Sequence, residues 1–85
     1  MKIAYVRWLD ARGFGGAKLL ALAQRMGALE MDSAGMLVSE DDEVIRIAQD
    51  IYTYDEEGPK AREIEIIPQK YVISKRIIDL DEAAT

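Results

Sequence analysis

"EIEIIPQKYVISKRIIDL", residues 63–80, is the stretch whose reading decides the fold. Its first part, "EIEII" (63–67), alternates charged and β-branched residues with the period of two that a strand requires, which sets Ile64 and Ile66 on one face. Pro68 cannot donate to a ladder and ends that strand, so "PQKY" predicts a single turn. "VISKRIIDL" (72–80) then returns to strand-forming residues and closes the sheet. The tail "DEAAT" (81–85) reads as frayed.

Working outward, "LEMDSAGMLVS" (29–39) predicts a strand interrupted at Gly35, a residue that permits a bulge or a sharp bend. "EDDE" (40–43) is an acidic turn, and "VIRIAQDI" (44–51) returns as a strand. Together they form a hairpin with Met36 to Val38 facing Val44 to Ile47. A long polar loop, "YTYDEEGPKAR" (52–62), leads into the deciding segment. At the front, "KIAYVRW" (2–8) predicts a strand with Ala4, Val6 and Trp8 on one face and Ile3, Tyr5 and Arg7 on the other. After the loop "DARGFGG", the segment "AKLLALAQRMGAL" spaces Leu19, Leu22, Met26 and Leu29 as on a helix of about 10–12 residues, with Gly27 near its end. Five short strands, one helix after the first and a Pro-marked turn before the last describe an α+β domain over residues 1–85. The expected form is a small, strongly bent antiparallel β-barrel of SH3-like or Sm-like type, with a flat α+β sandwich as the alternative.

Composition narrows the function. The chain has 85 residues, no cysteine and no histidine. It therefore lacks a disulfide framework, a thiol nucleophile and the usual neutral-pH acid–base side chain. Without histidine no Ser/His/Asp constellation is possible, and a two-carboxylate hydrolase needs a deeper pocket than a domain of this size builds. A non-enzyme without cofactor or metal is expected. No apolar run reaches the length of a membrane span, and "MKIAYVRW" does not read as a signal peptide, so a cytoplasmic location is the default. The net charge of −5 is unevenly placed. Residues 1–29 hold five bases and one acid, residues 30–57 hold ten acids and one base, and the remainder balances. Such acidity argues against broad binding to duplex nucleic acid.

The basic block contains "WLDARGFGGAK" (8–18), the candidate ligand site. Gly13, Gly15 and Gly16 free the backbone to turn N–H groups toward one point, where a following helix would add its dipole. Arg12 and Lys18 would supply charge, and Trp8, Tyr5 or Phe14 a ring for a base to stack on. The pattern matches neither G-x-G-x-x-G nor G-x-x-x-x-G-K-[ST], so a plain flexible connector is the competing reading. "EDDE" lacks the alternating spacing of a calcium loop and reads as a solvated turn. Tyr52 and Tyr54 share one side of an extended segment, as a stacking platform or as an anchor at a subunit contact. Lys70, Lys75 and Arg76 either decorate the last strand or line a groove.

Three segments together, "VRWLD" (6–10) with Gly15 and Gly16, "SAGMLVSEDDEVIRIAQ" (33–49) and "EIIPQKYVISKRII" (65–78), resemble the short uncharacterised proteins of bacteriophages and prophages. The resemblance implies a phage source, a host-cytoplasm location and a small barrel, and carries no catalytic residues. A weaker similarity to phage proteins that sequester nucleotide signals implies an oligomer holding a small anion, such as a nucleotide, at the glycine loop. Two alternatives stand beside it. One is a protein–protein module whose acidic block docks on a basic host protein and inhibits it. The other is an Sm-like binder of single-stranded nucleic acid. A small core and free strand edges favour a homo-oligomer in every case.

Overall fold

In the computed structural model of the chain, residues 1–10, 17, 19–53 and 56–83 are described, with backbone only at 82 and 83. Five strands, β1 (Lys2–Asp10), β2 (Leu29–Glu40), β3 (Val44–Tyr52), β4 (Lys60–Pro68) and β5 (Val72–Asp79), make one sheet. Its order is β4-β3-β2-β1-β5, and every neighbouring pair is antiparallel. One helical turn, α1 (Leu20–Ala23), lies between β1 and β2, and another, α2 (Leu80–Ala83), follows β5. No helix among the described residues is long and apolar enough to cross a membrane.

Antiparallel pairing throughout fixes β4 and β5 in the same direction, yet only the 3₁₀ turn Gln69–Tyr71 separates them. They run end to end as one bent strand that leaves β3 at Pro68 and joins β1 at Val72. That corner draws the two halves of the sheet together, and Gln69 N–H donates to the Glu43 carbonyl at 2.8 Å. Ala4 and Val6 of β1, Ile45 and Ile47 of β3 and Ile67 of β4 become fully buried against one another. Trp8, Leu37 and Val72 pack around them. The sheet curls without closing: β4 and β5 remain its two edges, so the domain is a mostly β open sheet and not the closed barrel expected.

The helix also departs from expectation. Its leucines have helical spacing but no surface to cover: Leu19 and Leu20 are 80% and 73% exposed, and α1 buries no residue. A helix that gains no tertiary burial cannot offset the cost of nucleation, so four residues remain of the expected ten to twelve. Gly35 is not a bulge. It pairs in register with Ala4, and the irregularity falls at Val38, between Leu37 and Ser39. Of the tail 81–85, residues 81–83 belong to α2 and 84–85 lie outside the described residues; the Leu80 N–H of α2 reaches the Met1 carbonyl while the Asp81 carboxylate pairs with the terminal ammonium.

The β2–β3 turn owes its shape to Asp41. Its carboxylate accepts the backbone N–H groups of Glu43 and Val44 at 2.8 and 2.9 Å and takes an ion pair from Arg46 at 3.2 Å. These donors, the Val44 N–H foremost, hold its pKa below the ordinary carboxylate value. A depressed folded-state pKa gives stability that is complete above the unfolded-state value and is lost as pH falls through the folded one. Asp41→Asn is therefore expected to melt lower than the parent at neutral pH and to converge with it in acid. Thermal melts between pH 7 and pH 2 check this, and parallel curves would contradict it.

Candidate functional site

β2 and β3 pair only from Met36 onward, where Met36 meets Ala48. Before that point β2 is paired with β1 alone, and beyond it Asp50 to Tyr52 of β3 are paired with β4 alone. The two strands part and leave a cleft of about 410 Å³. The Gln49 side-chain amide donates to the Ala34 carbonyl at 3.3 Å across its mouth. Ala34, Ile47 and Ile64 give the wall its apolar parts, and Asp32, Ser33, Gln49, Glu63 and Glu65 its polar ones.

Glu63, Glu65 and Ile67 share one face of β4 by strand alternation, so the face that buries Ile67 also carries the half-buried Glu65 and, further out, the exposed Glu63. The Oε1 atom of Glu65 is buried and has no hydrogen-bond partner among the described residues, leaving an acceptor that a donor could satisfy. Glu63 adopts φ 56°, the left-handed region that a residue with a Cβ enters at a cost and that is enriched at binding sites. Asp32 borders the cleft from β2, but its carboxylate stands with Arg7 on the other face from Ser33, and Arg7 donates to both its oxygens at 2.9 and 3.3 Å. That guanidinium, helped by the Tyr5 hydroxyl, keeps the Asp32 pKa below the usual carboxylate range. Among the described residues no lysine or arginine lines the cleft. It is an acidic slot with one unsatisfied acceptor, suited to an ammonium or guanidinium donor.

Elsewhere three of the described cations face carboxylates on or beside neighbouring strands. Arg62 pairs with Asp50 at 3.0 Å, Lys60 with Glu57 at 3.0 Å, and Lys75 with Glu40. Lys75 is thus tied to β2, and Lys70 sits with its ammonium 5.2 Å from the Tyr71 ring centre. The structure does not bring Lys70, Lys75 and Arg76 into a basic groove.

Of the predicted ligand residues, Trp8 is described, whereas Arg12, Gly13, Phe14, Gly15, Gly16 and Lys18 lie outside the described residues, as does Tyr54. Trp8 is half-buried against the core, and its indole N–H donates to the Ser33 hydroxyl at 3.0 Å. Ser33 lines the cleft, so Trp8 braces the β2 wall from behind. Tyr52 takes the Arg62 guanidinium over its ring at 5.8 Å, a contact that occupies one face of the proposed platform. Sequence reading missed Ser33, Gln49, Glu63 and Glu65. The available signal was the placement of Glu63 and Glu65 four and two residues before a buried isoleucine.

No family model, curated protein or solved structure matches the chain. Function is therefore argued from the geometry of the chain itself.

Proposed function

We propose that the protein is a non-enzymatic binding module for protein partners, and that its acidic cleft receives a lysine or arginine side chain from the partner. The observation that carries this reading is the buried Oε1 of Glu65, which has no hydrogen-bond partner among the described residues, in a slot that no described lysine or arginine lines. A basic side chain would satisfy that oxygen, while the strand edges left unpaired at the cleft favour an extended partner segment. The acidic 30–57 block adds long-range attraction toward a basic surface. The three-residue link between β4 and β5 is the feature that supports a finer classification as an SH3-like half-barrel.

The test is a titration of the isotopically labelled protein with extended peptides that carry lysine, arginine or norleucine at one position. Basic peptides are expected to shift the amides of Ser33, Gln49 and Glu65, and the norleucine peptide is not. Glu65→Gln should weaken binding by about tenfold or more, the range for a hydrogen bond to a charged group. Equal affinity for the norleucine peptide would sink the reading.

A second reading, a small anion such as a nucleotide held at the glycine loop, is favoured by Trp8, which stands on the strand entering that loop with its N–H already satisfied. Its test is separate. Ligand at about 100 times Kd should add about 2.7 kcal/mol of stability, and Arg12→Ala with Lys18→Ala should remove that gain.

A further inference from the structure

β2 keeps an open edge beside the cleft. From Leu29 to Gly35 it pairs with β1 on one side, and no described strand pairs with it on the other. Backbone groups of successive residues point to alternate sides of a strand. The Ala34 carbonyl accepts the Gln49 side chain from the β3 side, so Ala34, Asp32 and Glu30 all turn N–H and C=O toward the cleft. Met36, next in that series, is where β3 meets the same edge. The track that β3 leaves at Ala48 is therefore open beside β2, with a glutamine amide standing at its first free carbonyl. A second hollow, of about 440 Å³, adjoins the same parting and is lined by Met36, Asp50, Ile51, Tyr52 and Arg62. Met36, Asp50, Tyr52 and Arg62 alternate onto the face away from the core, opposite to Ser33 and Glu65.

We infer that the partner of the cleft binds as an added strand on this open edge of β2, with two adjacent residues read on opposite faces of the sheet. A basic residue turns inward to Glu65, and a bulky apolar residue beside it turns outward to the hollow at Met36 and Tyr52. The inference rests on the cleft being a partner's site, as proposed above, and adds the mode of attachment and a second position of choice. Alternation dictates the pattern. On the track that β3 leaves, a partner residue opposite Ser33 faces inward with Ser33, and the next one, opposite Ala34, faces outward with Ala34 and Met36. The recognised element is thus a basic–apolar dipeptide in an extended segment, and not the same two residues spaced by one, which would share a face.

Charge and chemistry select that occupant. Inward, the polar lining of Ser33, Gln49, Glu63 and Glu65 includes two carboxylates and no described base, so it complements a cation. Outward, the two charged lining residues, Asp50 and Arg62, already pair at 3.0 Å, so an apolar side chain enters without stranding a charge. Met36 and Tyr52 are half-buried and Ile51 is exposed, which leaves apolar surface for that side chain to cover. The partner's backbone N–H opposite Ala34 takes over the carbonyl that Gln49 now holds. Main-chain pairing then supplies attraction regardless of sequence, and the two side-chain positions supply the discrimination.

The experiment joins peptide affinity to amide hydrogen exchange of the labelled full chain. The probes are synthetic Ser/Thr peptides carrying Lys-Phe, Lys-Thr-Phe, norleucine-Phe, or Lys-Phe with its phenylalanine nitrogen methylated. Saturating Lys-Phe peptide is expected to slow exchange at the Asp32 and Ala34 amides by about tenfold or more. The Ser33 and Gly35 amides, which turn to β1, should change little. Lys-Thr-Phe and the methylated peptide should each bind about tenfold more weakly or worse, the first by placing both side chains on one face and the second by losing the donor to Ala34. Tyr52→Ala should erase the preference for Lys-Phe over Lys-Thr-Phe while keeping that for lysine over norleucine. Unchanged exchange at Asp32 and Ala34 in the saturated complex overturns the inference, as does undiminished binding of Lys-Thr-Phe or of the methylated peptide. The exchange measurement uses the native chain and decides the matter even where Tyr52→Ala fails to fold. Equal affinity for norleucine-Phe, with Asp32 and Ala34 protected, sinks the reading of the cleft as a cation site and leaves the added strand standing. A chain that binds none of the probes at millimolar concentration overturns both.

Discussion

Ile67→Ala is expected to lower stability by about 2–5 kcal/mol, the range for removing a large aliphatic side chain from a packed core. At roughly 4–8 °C per kcal/mol for a domain of this size, the melting temperature should fall by more than about 10 °C. The reason is the position of Ile67. It is fully buried, stands opposite Ile45, and is the last residue before Pro68 begins the corner that carries the chain from β3 to β1. The core cluster contains five buried residues from three strands, so little surrounding structure is available to collapse into the space. Ile66, one residue earlier, points to the other face and is 58% exposed. In dilute protein, Ile66→Ala should change the melt by no more than the usual surface range of about 0.5 kcal/mol. The comparison holds residue type, strand and substitution constant and varies only the face. Equal losses at both positions would mean that the corner does not organise the core.

That contrast also explains what the sequence made legible. Period-two patterning in β1 put Ala4, Val6 and Trp8 on one face, and the structure buries the first two and half-buries the third. The hairpin around 40–43 and the single turn after Pro68 were readable because their signals are local: an acidic turn cluster and a residue that cannot donate. The length of α1 was not. Helical spacing at Leu19, Leu22 and Met26 states what could be buried but not whether a surface is present to bury it, and here none is. The cleft was illegible for a different reason. It exists because β2 and β3 separate beyond the Met36–Ala48 pair, a property of register between distant segments that neither strand's own pattern encodes. The glycine loop drew attention because its chemistry is contiguous, whereas Ser33, Gln49 and Glu65 meet only after folding.

Gly35→Val is expected to be the most damaging change at any described glycine. A Cβ built there would lie 2.8 Å from the Ala48 carbonyl oxygen, 3.4 Å from that carbonyl carbon and 3.4 Å from the Ile47 Cβ. The nearest atom is backbone and cannot rotate away, so β3 must move. Ala48 pairs with Met36, and displacing it loosens the last rung before the two strands part. The backbone conformation of Gly35 lies outside the left-handed region, so the requirement is space. Overpacking of this kind costs about 1–3 kcal/mol, and valine adds two methyl groups to the clash that alanine already makes. Two other glycines separate this cause from its alternatives. Gly27 has nothing within 4 Å of a built Cβ, so Gly27→Ala should be neutral or slightly stabilising through the unfolded chain. Gly58 also has open space but sits at φ 102°, so Gly58→Ala should destabilise by backbone strain alone. Melts of the three alanine variants and of Gly35→Val supply the ranking. Gly35→Val should also shift the Gln49 amide resonance, because Gln49 bridges to Ala34 beside the displaced pair. Loss of stability without that shift would place the damage elsewhere and would deny Gly35 its part in shaping the cleft.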